Sequence, residues 1–131
     1  MSIHAARRIA LQKIFARFFH DDDCSSVLEG LDDHENAQED SQFIDSALKG
    51  THENEQAYNA VIQSLSPSRS LERIPYLDRA ILLLALHELS QDGALPKVII
   101  NEAVELAKRY GDESDSRFIN GVLGSFVRQR S

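Results

Sequence analysis

The feature that most constrains the fold of this chain is the stretch from Tyr76 to Leu89. Its middle, residues 80–86, contains only alanine, isoleucine and leucine. A helix without a polar face has to be buried on all sides, and Pro75 suits the first turn of such a helix. The apolar run is far short of the roughly 20 residues that a membrane-spanning helix needs. The stretch is therefore predicted to be the central helix of a soluble protein.

Apolar residues recur at helical spacing through most of the remaining chain, and no alternating strand pattern of useful length occurs. A first helix joins Ile3 to Phe18 along one stripe and ends near Asp21. Gly50 and Pro67 are predicted to end the third and fourth helices. The fold class is therefore all-α with about seven helices. The others are predicted over residues 25–31, 41–49, 53–65, 97–110 and from about 116, with a short helical turn over 68–73 and an acidic loop over 32–40.

The charge of the chain is unevenly distributed. Its 131 residues have a net charge of −7, yet residues 1–20 hold four basic residues and no acid, whereas residues 21–60 hold twelve acids and only Lys49. A basic first helix permits a local contact with RNA on an acidic protein. The single cysteine, Cys24, excludes a disulfide within the chain and favours a cytoplasmic location.

The sequence lacks the residue patterns of the common enzymes. His-Glu occurs three times, but glutamine stands four residues after each histidine, where a zinc-protease helix needs a second histidine. The Glu-x-x-His pairs of di-metal bundles are absent, and the glycines are scattered rather than gathered in a phosphate-binding loop. We therefore expect no enzymatic activity, no catalytic residue, no metal site and no cofactor.

Three segments of the second half resemble the NusB family. Residues 71–82 (LERIPYLDRAIL) are similar to the segment that opens the central helix of that family. Residues 96–111 (PKVIINEAVELAKRYG) are similar to its most recognisable run, and residues 117–123 (RFINGVL) to the signature of its final helix. The segments follow one another in the order and spacing of the family. The pattern between Ala6 and Phe15 also resembles its first helix.

The resemblance implies a fold and a set of partners. The fold would be two packed three-helix bundles, about 1–66 and 67–131, forming a single domain without catalytic activity. The function would be transcription antitermination through a short single-stranded RNA element, boxA. The RNA would be bound together with the NusE-type small-subunit ribosomal protein, within the transcription elongation complex. No membrane contact is implied, and both monomers and homodimers occur in the family.

The resemblance also implies which residues make these contacts. Glu72, Tyr76 and Asp78 are the expected partner-binding residues. Arginine suits the RNA role because its guanidinium pairs with phosphate and stacks on unpaired bases. A phenylalanine offers a stacking face, but Phe15 lies on the apolar stripe and fits the core equally well. The expected RNA-binding residues are His4, Arg7, Arg8, Gln12, Phe15, Ser114 and Asp115.

One alternative function stays open on the sequence alone. Ile3, His4 and Ala5 stand where the family usually carries more positive charge. A protein of this fold with fewer cations on its first helix could be a protein–protein adaptor that has lost RNA binding.

Overall fold

The computed structural model describes residues 3–19 and 38–130, and within them the chain is all-α. The predicted fold class is therefore confirmed, while the helix predicted over 25–31 lies outside the described residues. Six α-helices are described, together with a 3₁₀ turn at Leu71–Arg73. The helices are α1 (Ile3–Arg17), α2 (Gln38–Glu53), α3 (Glu55–Leu65), α4 (Tyr76–Leu89), α5 (Pro96–Tyr110) and α6 (Glu113–Arg130).

Helix α4 is the centre of the structure, as its composition predicts. Every residue from Ala80 to Leu89 is buried, and α4 packs against each of the other described helices. Burying a leucine or isoleucine side chain contributes about 1.5–3 kcal/mol, so this helix supplies a large part of the apolar core. The division into two bundles near residue 66 stays a prediction. The buried cluster itself includes side chains from helices on both sides of that position.

Helix ends follow the proline and glycine signals with one clear exception. Helix α3 ends at Leu65, two residues before Pro67, and α5 begins at Pro96 and is followed by Gly111. The prediction that Gly50 ends a helix is wrong, because α2 continues through it to Glu53. A β-carbon at position 50 would collide with the imidazole ring of His87. Gly50 therefore serves the close packing of α2 on α4.

Helix α6 begins earlier than predicted, because residues 112–115 form a reciprocal cap. The Asp112 carboxylate accepts a hydrogen bond from the Asp115 backbone N–H at 3.1 Å, and Asp115 accepts one from the Asp112 N–H at 2.8 Å. This is the capping-box arrangement, with aspartate at both positions. The predicted acidic loop over 32–40 is also too long at its end, since α2 already includes residues 38–40.

Helix α1 lies close to α2 and α4 because its inner face is rich in alanine. Ala6 and Ala10 are fully buried. Near its end, Arg17 donates to the Leu48 carbonyl oxygen at 3.0 Å and to the Thr51 hydroxyl at 2.9 Å. One of the four basic residues of the N-terminal segment is thus used to hold α1 against α2. None of the described helices is long and apolar enough to span a membrane.

We expect Gly50→Ala to destabilise the protein by about 1–3 kcal/mol, because the added methyl group forces the His87 ring out of its packed position. Urea denaturation measures the change. Gly121→Ala is the matched control, since Gly121 is also helical but has open space where its β-carbon would lie. The control should be neutral or more stable by up to about 1 kcal/mol. Equal effects at the two positions would contradict the packing role of Gly50.

Candidate functional site

Four of the five predicted contacts on α1 lie on one side of the helix. His4, Arg8, Gln12 and Phe15 are separated by four, four and three residues, a spacing that places side chains on the same helical face. His4 is exposed, Arg8 and Phe15 are half-buried, and Gln12 is buried. At 1.5 Å per residue this stripe is about 17 Å long. We call these four residues the α1 stripe.

Arg7 lies on a different side of α1, in the interior. Its Nε and Nη2 atoms each lie 2.8 Å from one carboxylate oxygen of Glu88 on α4, and Nη1 lies 3.9 Å from Glu102 on α5. Only 7% of Arg7 is exposed. Burial raises the pKa of Glu88, and the hydrogen bond from Arg7 opposes that rise. Arg7 therefore ties α1 to the two helices beneath it.

The sequence contained a signal for this ion pair that the prediction did not use. Glu88 follows the apolar run of residues 80–86 by two positions in the buried helix α4, and a buried carboxylate needs a cationic or hydrogen-bonding partner. A search for that partner among the basic residues of the chain would have shown that one of them is not on the surface.

A cleft of about 270 Å³ lies between α1 and α5. His4, Arg7 and Arg8 line it from α1, and Glu102, Glu105, Leu106 and Arg109 line it from α5. The imidazole Nδ1 of His4 is 2.9 Å from the Glu102 carboxylate, which fixes the ring at the rim. Arg109 was missed by the sequence reasoning. Its position in the last turn of an amphipathic helix is also where arginine serves the helix dipole, so the residue type alone did not distinguish it.

Ser114 and Asp115 belong to the cap of α6. The Ser114 hydroxyl donates to the Asp112 carboxylate at 2.6 Å, and this bond, with the backbone N–H of Asp115, lowers the pKa of Asp112. Ser114 is exposed and Asp115 is half-buried. The structure therefore places both residues at the start of α6, where they shape the loop that follows α5.

The three expected partner-binding residues are not equally accessible. Glu72 and Tyr76 are exposed, whereas Asp78 is only 1% exposed. Neither oxygen of the Asp78 carboxylate accepts a hydrogen bond from a described residue. Burial and the neighbouring Asp115 carboxyl, with which a protonated Asp78 can share a hydrogen bond, raise the pKa of Asp78 to about 7. The starts of α4 and α6 thus meet at a pair of carboxyl groups.

Aromatic side chains join the end of α1 to the start of α4. The rings of Phe18 and Tyr76 are stacked with centroids 4.9 Å apart, and Phe19 meets both Phe15 and Tyr76 edge-on at 5.0 and 5.4 Å. We call these four residues the ring cluster. The guanidinium of Arg79 lies 4.8 Å from the Phe18 ring centroid. Sequence reasoning placed Phe18 on the apolar stripe and passed over Phe19, although the adjacent aromatic pair at a helix end was visible.

Metal ligation is not indicated within residues 3–19 and 38–130, where no group of three or more histidine, cysteine, aspartate or glutamate side chains is placed to hold an ion.

Comparison with known proteins gives consistent matches along the chain. The sequence model described as the NusB family matches residues 4–128. A transcription antitermination protein NusB from Lysinibacillus sphaericus is 36% identical over 130 residues, covering 98% of this chain and 99% of the relative. The protein of that name from Chloroflexus aggregans is 38% identical over 128 residues, covering 95% and 85%. A solved structure of T. maritima NusB superposes with a TM-score of 0.78 at 29% identity, covering 96% and 91%.

We expect Arg7→Ala to destabilise the protein by about 3–5 kcal/mol, because it leaves the Glu88 carboxylate buried without its cation. The double variant Arg7→Met, Glu88→Leu should recover most of this loss, since an apolar pair can replace a buried ion pair at little cost. Urea denaturation measures both variants. Lys97→Ala, at an exposed position on α5, is the control and should be near neutral. A double variant no more stable than Arg7→Ala would contradict the ion-pair role.

The carboxyl group of Asp78 should make stability depend on pH. Its folded-state pKa of about 7 lies above the unfolded value, so the folded protein binds this proton more tightly. Its contribution is full below the unfolded pKa, near 4, and is lost as pH rises through 7. Asp78→Asn keeps a neutral polar group at every pH. The variant should therefore gain about 2–4 kcal/mol relative to the original chain between pH 4 and pH 8.

Denaturant unfolding at several pH values measures this difference. Asp92→Asn, which changes an exposed carboxylate in the connection between α4 and α5, is the control and should show no comparable trend. A constant difference between the Asp78→Asn variant and the original chain across this pH range would contradict the assignment.

Proposed function

The chain belongs to the NusB family of transcription antitermination proteins, and we propose that it binds boxA-type single-stranded RNA together with the NusE-type ribosomal protein in the elongation complex. The observation that carries the RNA part is the α1 stripe, which presents His4, Arg8 and Phe15 on one face. His4 and Arg8 lie beside Arg109 of α5. Cationic and aromatic side chains in a row are what single-stranded RNA recognition uses. The proposed setting is the cytoplasm.

The residues of the stripe divide into contact and support. Arg8 is proposed to pair with phosphate, and His4 to hydrogen-bond to the strand from the rim of the cleft. Phe15, half-buried, is proposed to offer its accessible edge to a base. Arg7 supports RNA binding from the interior, because its pair with Glu88 fixes α1 against α4 and α5. Gln12, also buried, supports the middle of the stripe.

The beginning of α6 is proposed to border the same RNA strand. Ser114 is exposed there, and the reciprocal cap of Asp112 and Asp115 keeps the loop in one conformation. A rigid loop loses less conformational entropy when a ligand binds. Ser114 is therefore the proposed contact, and Asp115 holds the loop.

The protein-partner surface is proposed at the start of α4 and the turn before it. Glu72 and Tyr76 are exposed there, and aromatic side chains are enriched in protein interfaces. Asp78 lies underneath and is proposed to set the position of this helix start rather than to touch the partner. A homodimer is proposed as a further state of the free protein.

A second candidate function is the adaptor that binds the partner but not RNA. The burial of Arg7 favours it, because one fewer cation faces the solvent on α1 than the sequence suggests. With two or three phosphate contacts, the expected slope of log affinity against log salt is only about −1.4 to −2. RNA binding without the partner would then be weak at physiological salt.

Fluorescence anisotropy of a labelled boxA-type RNA separates the two functions. The RNA is titrated with this protein, alone and with the NusE-type partner, at several salt concentrations. Arg8→Ala should weaken binding several-fold and reduce the salt slope by about 0.7, the contribution of one phosphate contact. Lys49→Ala is the charge-matched control, because Lys49 is exposed on α2. If the chain binds the partner but binds RNA at none of these salt concentrations, with or without the partner, it has the adaptor function instead.

A further inference from the structure

We propose that the ring cluster extends the RNA site, and that one unpaired base stacks on Phe19 at the end of α1.

 This inference rests on the proposed function, because it concerns the same RNA strand. It adds a contact at the far end of the α1 stripe, beyond the residues that the family resemblance indicates.

The ring cluster holds Phe19 in a fixed position while leaving much of it open. Phe19 lies edge-on to Phe15 at 71° and to Tyr76 at 88°, and Tyr76 is itself stacked on Phe18 at 8°. Despite these contacts Phe19 is 49% exposed. A ring that served only the core would be covered more completely, since a buried phenylalanine is one of the most stabilising residues. Phe19 therefore has a free surface on a rigid support.

Arg79 adds a positive charge to this support without occupying its outer surface. Its guanidinium lies 4.8 Å from the ring centroid of Phe18 and 5.6 Å from that of Tyr76. Arg79 is half-buried, and its Nε has no hydrogen-bond partner among the described residues. Aromatic rings backed by arginine are a common platform for unpaired bases.

The position of Phe19 continues the α1 stripe. It follows Phe15 by four residues, as Arg8 follows His4, and a backbone hydrogen bond from its N–H to the Ala16 carbonyl oxygen, 3.0 Å long, keeps it in a helix-like turn. At 1.5 Å per residue the distance along the axis from His4 to Phe19 is about 22 Å. A strand bound along His4, Arg8 and Phe15 would therefore reach Phe19 without changing direction.

The contact at Phe19 should involve a base and not a phosphate. Phe19 itself offers a ring face and neither a cation nor a hydrogen-bond donor, so it suits a base and not a phosphate. Stacking on a ring releases no counterions, so it adds affinity without adding to the salt slope. This separates the contribution of Phe19 from that of Arg8. The competing occupant of the same surface is the protein partner, which the experiment below distinguishes.

The experiment uses boxA-type RNAs that carry 2-aminopurine at successive positions, because the fluorescence of this base is quenched when it stacks. With the original chain, quenching beyond that caused by Phe15 is expected at one position. Phe19→Leu should remove that quenching and weaken RNA binding about fivefold or more, with the salt slope unchanged. Phe19→Tyr, which keeps an aromatic ring, should retain both. Leu95→Ala, at a 64% exposed apolar residue after α4, is the control.

Each other result overturns the inference. If Phe19→Leu binds RNA as the original chain does, the base does not stack there, and weaker binding of the NusE-type partner would assign the surface to protein. Absence of the additional quenching in the original chain overturns the inference without any variant, so a folding defect cannot obscure it. If the original chain binds no RNA even with the partner, the proposed function fails and this inference fails with it. If the original chain binds RNA but shows no stacking at Phe19, this inference fails and the proposed function stands.

Discussion

Burial of α4 on all sides sets the arrangement of the other described helices. Because no face of residues 80–86 can be left in water, α1, α2, α3, α5 and α6 all have to supply apolar surface to it. Each of these helices consequently presents only one outward face. The outward face of α1 is where the chain carries His4 and Arg8, so the packing requirement of the core also determines which polar side chains of α1 lie on that face.

The ion pair of Arg7 and Glu88 shows how scaffold and function divide the basic residues of α1. Arg7 and Arg8 are neighbours in sequence but differ by about 100° around the helix. Both line the cleft with α5, but Arg7 is buried and paired with Glu88 of α4, whereas Arg8 is only half-buried. The Arg17 guanidinium likewise donates a hydrogen bond to Thr51 of α2. A count of positive charge on the first helix therefore overstates the charge that RNA could meet.

The start of α4 lies next to the start of α6 and next to the end of α1. These three segments hold most of the other residues of the candidate site. The Asp78 and Asp115 carboxyl groups connect α4 to α6, and the Phe18–Tyr76 stack connects α4 to α1. Residues expected to serve RNA and residues expected to serve the protein partner are therefore neighbours. Two partners bound at adjacent surfaces of one rigid unit would support each other's position, which is consistent with joint binding by the proposed function.

The sequence by itself determined the helical class, the central place of α4 and the family, because these depend on apolar periodicity and on residues close together along the chain. Through the family resemblance it also indicated His4, Arg8 and Phe15 as RNA-binding residues. Only the tertiary structure decided that Arg7 and Asp78 are buried, that Gly50 packs against His87 instead of ending a helix, and that Phe19 and Arg79 meet the rings of Tyr76 and Phe18. Those outcomes depend on contacts between residues far apart in the chain. Helical periodicity predicts which face of a helix a side chain occupies, but it does not predict which other helix packs against that face.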